Sequence, residues 1–158
     1  MKTKLKWAVV ILTLIFAVLQ FTSPSRTNPP FDEKQTLQAI TNVPSDVSAV
    51  FARSCNDCHS NQTNWLWYTH VAPASWFTVG HVNDGRAELN FSEWGSYGER
   101  MKGSRLSAIC AHIEQGSMPL PSYTLLHRDA PLSPDEVKMI CEWTKKESMS
   151  ITGNPSRE

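Results

Sequence analysis

The chain has 158 residues with 15 basic and 15 acidic side chains, so its formal net charge is zero. This balance leaves no excess of positive charge for binding a nucleic acid, and we expect no nucleic-acid partner. After an apolar N-terminal segment and a Pro-rich stretch, about 120 residues remain, which is the size of one compact domain.

The first predicted element is an apolar run from Trp7 to Phe21 that follows three lysines. Lysines before an apolar segment orient the N-terminus to the cytoplasm and send the following chain across the membrane. The run is short for a spanning helix and long for the core of a signal peptide, and no small-residue cleavage site follows it. We therefore expect residues 1–21 to be a signal anchor, with a cleaved signal as the alternative. Without the three lysines, 12 basic and 15 acidic side chains remain in the exported part.

Residues 22–43 contain three prolines and few apolar positions, which is typical of a tether between membrane and domain. A helix is predicted to start near residue 44, because Val47, Val50 and Phe51 recur at helical spacing. This helix runs directly into the segment that carries the chemistry.

Residues 55–59 read Cys-Asn-Asp-Cys-His, a C-x-x-C-H run with the spacing of covalent c-type haem attachment. The thiols of Cys55 and Cys58 can form thioethers on one edge of a porphyrin, and His59 then becomes an axial ligand of the iron. We therefore predict one haem c, with His59 as a metal ligand. A thioredoxin-like redox pair would need a βαβ pattern and a structural zinc site would need further ligands, and the sequence around this run offers neither.

An aromatic stretch follows the C-x-x-C-H run. It is either a small hydrophobic core or a wall along the faces of the porphyrin. In the second case, the indole N–H and phenol O–H groups could donate hydrogen bonds to the haem propionates. The aromatic residues are Trp65, Trp67, Tyr68, Trp76 and Phe77. A helix is predicted within residues 73–89, and a short one near Ser92.

Two further helices are predicted in the C-terminal part of the chain. Residues 104–115 carry an apolar stripe that ends at Gly116, a natural helix stop. Ser133 and the glutamate three positions later form a capping box that opens the final helix. Cys110 and Cys141 fall on the apolar stripes of these two helices, where they either form a disulfide or remain separate small hydrophobic residues.

A low-spin electron-transfer haem needs a second iron ligand opposite His59. Met118 lies in a Pro-rich loop between the two C-terminal helices, where Pro119 restricts the backbone. We therefore predict Met118 as the second metal ligand. Bis-histidine ligation through His127 or His81 is the main alternative, and an open sixth site is the third.

Several short motifs follow one another in the order of a known family. They are Ser54 to Asn61 around the C-x-x-C-H run, Trp65-x-Trp67-Tyr68, Ala72-Pro73-x-Ser75-Trp76, His81-Val82-x-x-Gly85-Arg86, Leu89-Asn90-Phe91-Ser92-x-Trp94 and Gly116-x-Met118-Pro119-Leu120-x-x-Tyr123. Over roughly residues 25–147 this series resembles the bacterial haem-binding domain family, which is similar to small c-type cytochromes. The resemblance implies a periplasmic mono-haem protein in which Cys55, Cys58 and His59 hold the haem and Met118 is the sixth ligand. Some members are joined to di-haem peroxidase-like modules, and the lack of such a module in this sequence weakens a peroxide role.

We therefore expect an all-α, cytochrome c-like domain around one covalent haem, preceded by an N-terminal membrane helix. The expected boundaries are 1–21 for the anchor, 22–43 for the tether, 44–147 for the haem domain and 148–158 for a flexible tail. The first and last helices of the domain should pack together, with Val50 and Phe51 against Trp143.

The predicted function is one-electron transfer with redox partner proteins at the outer face of the cytoplasmic membrane. The first alternative is a haem peroxidase or peroxidase accessory, which needs a displaceable sixth ligand and an acid–base group such as His81 or Arg86. The second alternative is a haem-based gas or redox sensor with an open sixth site.

Overall fold

The computed structural model describes residues 2–153, which form helices and loops without a β-strand. This confirms the all-α fold class. Within these residues, eight α-helices occur in the order α1 (Lys2–Leu19), α2 (Leu37–Ile40), α3 (Ser45–Ser54), α4 (Asn56–His59), α5 (Ala74–Glu88), α6 (Glu99–Glu114), α7 (Pro121–Leu126) and α8 (Pro134–Thr152). Short 3-10 helices at Gln20–Thr22, Glu33–Gln35, Trp67–His70 and Phe91–Ser96 connect them. The end of the predicted tail, residues 154–158, lies outside the described residues.

Helix α1 and the 3-10 turn after it form one apolar segment, Lys2–Thr22, with a mean hydropathy of 2.0. The segment is long and apolar enough to cross a membrane, and its apolar window is not buried in the domain. A membrane span and a signal sequence share these properties. At its end, the side chain of Gln20 accepts a hydrogen bond from the Ala72 N–H (3.0 Å) and donates one to the Ala72 carbonyl (3.3 Å).

The core of the domain lies between α3, α6 and α8. Helix α8 begins with the predicted capping box, in which the side chains of Ser133 and Glu136 each accept a hydrogen bond from the backbone N–H of the other residue. The ring of Phe51 on α3 meets the ring of Trp143 on α8 edge to face, with centroids 5.7 Å apart. This contact confirms that the first and last helices of the domain pack together.

A disulfide joins Cys110 on α6 to Cys141 on α8, with Cα atoms 4.8 Å apart. Of the two arrangements that the sequence left open, the structure contains the covalent one. The bridge cross-links the two longest helices of the domain, and both cysteines are buried.

Three stretches of helix extend beyond the sequence prediction, and packing or pairing explains each. Helix α6 begins at Glu99, whose carboxylate pairs with the buried Lys102 one turn later at 3.2 Å. Helix α8 continues to Thr152 because Ile151 is buried in the core. Helix α2 lies within the predicted tether because Leu37 is fully buried against the domain.

Helix α5 lies directly on α4, the short helix that carries the C-x-x-C-H run, and the approach is closest at Gly85. A Cβ atom at this position would lie 2.7 Å from the backbone oxygen of Cys58 and 3.1 Å from the Cys58 Cβ atom. Five residues earlier on the same helix, a Cβ atom at Gly80 would meet no atom within 4 Å. The close packing of α5 on α4 therefore requires glycine at position 85 and not at position 80.

Replacing both Cys110 and Cys141 with Ala should lower the free energy of unfolding by about 2 to 4 kcal/mol, because the unfolded chain regains the entropy of an open loop. Denaturant unfolding of the purified protein, followed by near-UV circular dichroism, measures this difference. Reduction of the unmodified protein provides the matched control and should shift the midpoint in the same direction. Equal midpoints for the variant and the oxidised protein would contradict a stabilising bridge.

Replacing Gly85 with Ala should destabilise the protein by about 1 to 3 kcal/mol, because the added methyl group overpacks the contact with Cys58. The control is Gly80→Ala, which should stabilise α5 by about 0.5 to 1 kcal/mol because alanine has the higher helix propensity. The same unfolding measurement compares both variants. If the two substitutions shift stability in the same direction, the close approach at Gly85 does not limit the packing.

Candidate haem site

The C-x-x-C-H run consists of Cys55, which lies between α3 and α4, and the whole of α4. The backbone N–H groups of Cys58 and His59 both donate to the carbonyl of Cys55, at 3.1 and 2.9 Å, so the run forms a single helical turn. Cys55 and Cys58 are half-buried and free, and they are the only cysteines in the described residues outside the disulfide. The turn therefore presents two thiols and one imidazole from one short, fixed segment.

Two backbone carbonyls at the end of α5 determine the tautomer of His59. Its Nδ1 atom lies 3.0 Å from the carbonyl oxygen of Gly85 and 3.1 Å from that of Leu89. Since both partners are acceptors, Nδ1 carries the proton and Nε2 is left unprotonated, with a lone pair available to a metal. Burial lowers the pKa of His59, which keeps the imidazole neutral as metal coordination requires.

The two thiols of the run are poorly suited to dithiol redox chemistry. Burial raises the pKa of Cys55 to about 12 and that of Cys58 to about 11. A thioredoxin-like centre needs a thiol with a lowered pKa, because the thiolate is the nucleophile. The environment of these thiols is therefore apolar and disfavours the thiolate form.

Three adjoining cavities surround the C-x-x-C-H turn, and we refer to them together as the haem cleft. The central cavity, of about 270 Å³, is lined by both cysteines of the run and by His59 and Met118. The Cys55 cavity, of about 350 Å³, extends toward α6 and again includes His59 and Met118 in its lining. The Cys58 cavity, of about 310 Å³, extends along the first half of α5. Each has the size of a small-molecule site, and their linings are predominantly apolar.

The loop that carries Met118 is fixed by the way α6 ends. Gly116 adopts a left-handed conformation with φ of 66°, as predicted for a helix stop. The following N–H groups of Ser117 and Met118 then donate back to the carbonyl of His112, at 3.0 and 3.4 Å. Met118 is partly buried against the core and lines two of the cavities that His59 also lines.

A second connection ties the Met118 loop to the C-x-x-C-H turn. Helix α7 follows this loop, and its Tyr123 hydroxyl donates a 2.8 Å hydrogen bond to the carboxylate of Asp57, inside the turn. The other carboxylate oxygen of Asp57 accepts from the N–H of Asn64 at 2.9 Å. Burial and the bond to Asp57 raise the pKa of Tyr123, so its phenol remains a donor. This pair could not be predicted from the sequence, since no local pattern relates residues 57 and 123.

The two histidines considered as alternative sixth ligands differ in their surroundings. His127 stacks on Tyr123 with ring centroids 3.7 Å apart, and its Nδ1 lies 3.0 Å from the Tyr123 carbonyl. Its Nε2 lies 3.3 Å from the hydroxyl of Tyr68, so both ring nitrogens have protein partners. His81 is exposed and lines the central and Cys58 cavities.

The aromatic stretch does not form a hydrophobic core. Trp67 and Phe77 are exposed to solvent. Trp65, Tyr68 and Phe77 line the Cys58 cavity, which is where residues that border a porphyrin would have to lie. The polar groups of Trp65, Tyr68 and Trp76 already have protein partners, however. The indole of Trp65 donates to the Asn28 side chain at 3.1 Å, and the indole of Trp76 donates to the Thr22 carbonyl at 3.2 Å.

Two arginines near the cleft have different positions. Arg86 donates to the carbonyls of Ser60 (2.8 Å) and Thr27 (3.0 Å) and to the side chains of Asn28 (3.0 Å) and Thr63 (2.8 Å), so it clamps the chain around the motif. Arg105 lines the Cys55 cavity and pairs with Glu88 at 3.0 Å. Sequence reasoning missed Arg105, because its helical position gives no sign that it faces a cavity.

The residues around the cleft fit a haem. Two free thiols, an oriented neutral imidazole and a thioether line one continuous set of apolar cavities, and Arg105 provides a cation at one margin. Comparison with known proteins agrees with this fit. A family model described as haem-binding domain matches residues 14–146, whereas no match was found among curated proteins or solved structures. The match confirms the resemblance noted in the sequence: the chain is a haem-binding protein and belongs to the haem-binding domain family.

Proposed function

We propose that the protein is a mono-haem c-type cytochrome that exchanges single electrons with redox partner proteins at the outer face of the cytoplasmic membrane. The observation that carries the proposal is the orientation of His59. Its Nδ1 is held by two carbonyls, and it shares the lining of two cavities with Met118. One nitrogen and one sulfur ligand on the same cavities support a six-coordinate iron site.

Covalent attachment would use Cys55 and Cys58. Both thiols are free and lie in the single turn that ends with His59. The other two cysteines are bonded to each other and have no free thiol that could attach a haem. Attachment through thioethers would fix the haem permanently in the fold, which suits a turn that borders all three cavities of the haem cleft.

The bound haem would supply a one-electron ferric–ferrous couple. The residues of this chain would tune and support that couple. The thioether of Met118, a soft neutral ligand, favours the ferrous form. The two carbonyls that hold His59 fix the ring, and the bond between Tyr123 and Asp57 holds the opposite loop. Arg105 at the margin of the Cys55 cavity is suitably placed for a propionate.

The segment Lys2–Thr22 supports a location at the membrane. We propose that it is an uncleaved anchor, so that the haem domain stays at the periplasmic surface. The disulfide between Cys110 and Cys141 supports export, because such bonds persist in oxidising compartments. A cleaved signal remains the alternative and would leave the domain exported but soluble.

A peroxidase or peroxidase accessory is the second candidate, and the position of His81 is the observation that favours it. This histidine lines the central cavity together with Met118 and could act as an acid–base group if the sulfur were displaced. Arg86, the other group considered for this role, is engaged by four acceptors of the surrounding chain.

Acidified organic solvent should leave the haem on the unmodified polypeptide, because thioether bonds resist extraction. Changing either Cys55 or Cys58 to Ser should reduce the covalently retained haem, and changing both should abolish it. Denaturing electrophoresis with haem staining measures the retained fraction. The double variant Cys110→Ala/Cys141→Ala is the matched control and should retain its haem. Complete extraction from the unmodified protein would exclude covalent attachment.

Replacing Met118 with Ala should remove the weak long-wavelength charge-transfer band of a methionine-ligated ferric haem and lower the reduction potential. The soft ligand that favours the ferrous form would then be missing. Optical spectroscopy and a potentiometric titration measure the two effects. Met101→Ala, at an exposed position on α6, is the control and should change neither.

Three outcomes separate the candidate functions. An unchanged spectrum in Met118→Ala would show that Met118 is not the sixth ligand. The spectra of His81→Ala and His127→Ala would then be compared. Rapid peroxide binding by the unmodified protein would favour the peroxidase. Binding of carbon monoxide by the unmodified protein, without peroxide turnover, would favour a sensor.

A further inference from the structure

The stretch from Trp65 to Gly80 contains no aspartate, glutamate, lysine or arginine. It covers the 3-10 helix Trp67–His70 and the first half of α5. The second half of α5 differs sharply, because Asp84, Arg86 and Glu88 follow within eight residues. One end of α5 is therefore uncharged and the other end is polar.

Large aromatic side chains are exposed at the uncharged end. Trp67 is 76% exposed and Trp76 is 38% exposed, while Phe21 at the end of the N-terminal apolar segment is 91% exposed. We call these three residues the aromatic face. Exposed aromatic groups of this size rarely cluster on a soluble surface without a binding role.

Hydrogen bonds hold the end of the N-terminal segment against the aromatic face. Gln20 makes its two bonds to the backbone of Ala72, next to the start of α5. The indole of Trp76 donates to the carbonyl of Thr22 at 3.2 Å, and the hydroxyls of Ser23 and Ser75 lie 3.5 Å apart. The aromatic face is thus continuous with the point where the segment would leave the membrane.

We propose that the aromatic face lies in the interfacial layer of the same lipid bilayer that Lys2–Thr22 crosses. This inference rests on the proposed membrane anchor. Tryptophan and other aromatic rings prefer the headgroup level, where an apolar ring and a polar N–H are both accommodated. The absence of charged side chains from residues 65–80 removes the cost of burying them there.

This placement orients the haem cleft relative to the membrane. Helix α5 rises about 1.5 Å per residue, so Gly85 lies about 14 Å along the axis from Trp76. The carbonyl of Gly85 holds His59, so this imidazole contacts α5 at the end opposite the aromatic face. The acidic groups Asp84 and Glu88 lie at the far end, away from anionic headgroups.

The test uses the full haem-loaded chain in vesicles of phosphatidylethanolamine and phosphatidylglycerol. The vesicles contain a phosphatidylcholine probe with a photoactivatable diazirine close to its headgroup. After illumination, mass spectrometry of peptides locates the label. We expect label on α1 and on peptides that contain Trp67 or Trp76. Peptides around Met101 on α6 and Met149 on α8, which are also exposed, should remain at background.

A matched pair of variants isolates the aromatic face. Trp67→Gln should reduce the label on its own peptide to the background of the Met101 peptide, because Trp67 has a ring contact only with Tyr68 among the described residues. Met101→Gln should leave the labelling pattern unchanged. An unchanged haem spectrum in both variants shows that the fold is retained.

The outcomes separate this inference from the anchor on which it rests. Label on α1 without label on the aromatic face would overturn the inference and leave the anchor in place. The same result would direct the search to a protein partner for the aromatic face. Absence of label from α1, or an intact mass that begins after residue 21, would overturn both proposals. Equal labelling of the α6 and α8 peptides would also overturn the inference, since the aromatic face would then have no preference for lipid.

Discussion

The contact between the His59 imidazole and the end of α5 is the interaction on which the rest of the site depends. The carbonyls of Gly85 and Leu89 orient the ring, and they can reach it only because position 85 has no side chain next to Cys58. The last carbonyl groups of a helix lack a full set of hydrogen bonds within the helix, so they can accept a hydrogen bond from an imidazole N–H. The C-x-x-C-H turn and α5 therefore form one rigid unit, in which a short sequence motif obtains its orientation from a distant segment.

The opposite side of the cleft is fixed by different means. Gly116 ends α6 and returns the chain toward the cleft, and Tyr123 then bonds to Asp57 inside the motif itself. The loop with Met118 is thus held at both ends, before and after the sulfur. For the proposed electron carrier, two rigid supports on opposite sides would limit the movement of both iron ligands between oxidation states.

The four cysteines form two pairs, one joined by a disulfide and one free, and their geometry and burial explain the difference. Cys110 and Cys141 meet across two packed helices and form a bond within the core. Cys55 and Cys58 remain free in one helical turn, and burial keeps their pKa values high. The disulfide stabilises the helix pair that supports the cleft, while the free pair is left available at its edge.

The sequence by itself determined the elements whose signals are local. The spacing of Cys55, Cys58 and His59, the capping box at Ser133 and the helix stop at Gly116 each depend on neighbouring residues, and so haem binding and most helices could be predicted. Only the tertiary structure decided which distant groups meet: the disulfide, the carbonyls that hold His59, the partner of Asp57, and the burial of Leu37 and Ile151 that extends helices into the predicted tether and the predicted tail. The exposed positions of Trp67 and Phe77 were also decided by the tertiary structure. An aromatic residue suits a core and the lining of a cleft equally well, and only its neighbours in the fold determine which of the two it occupies.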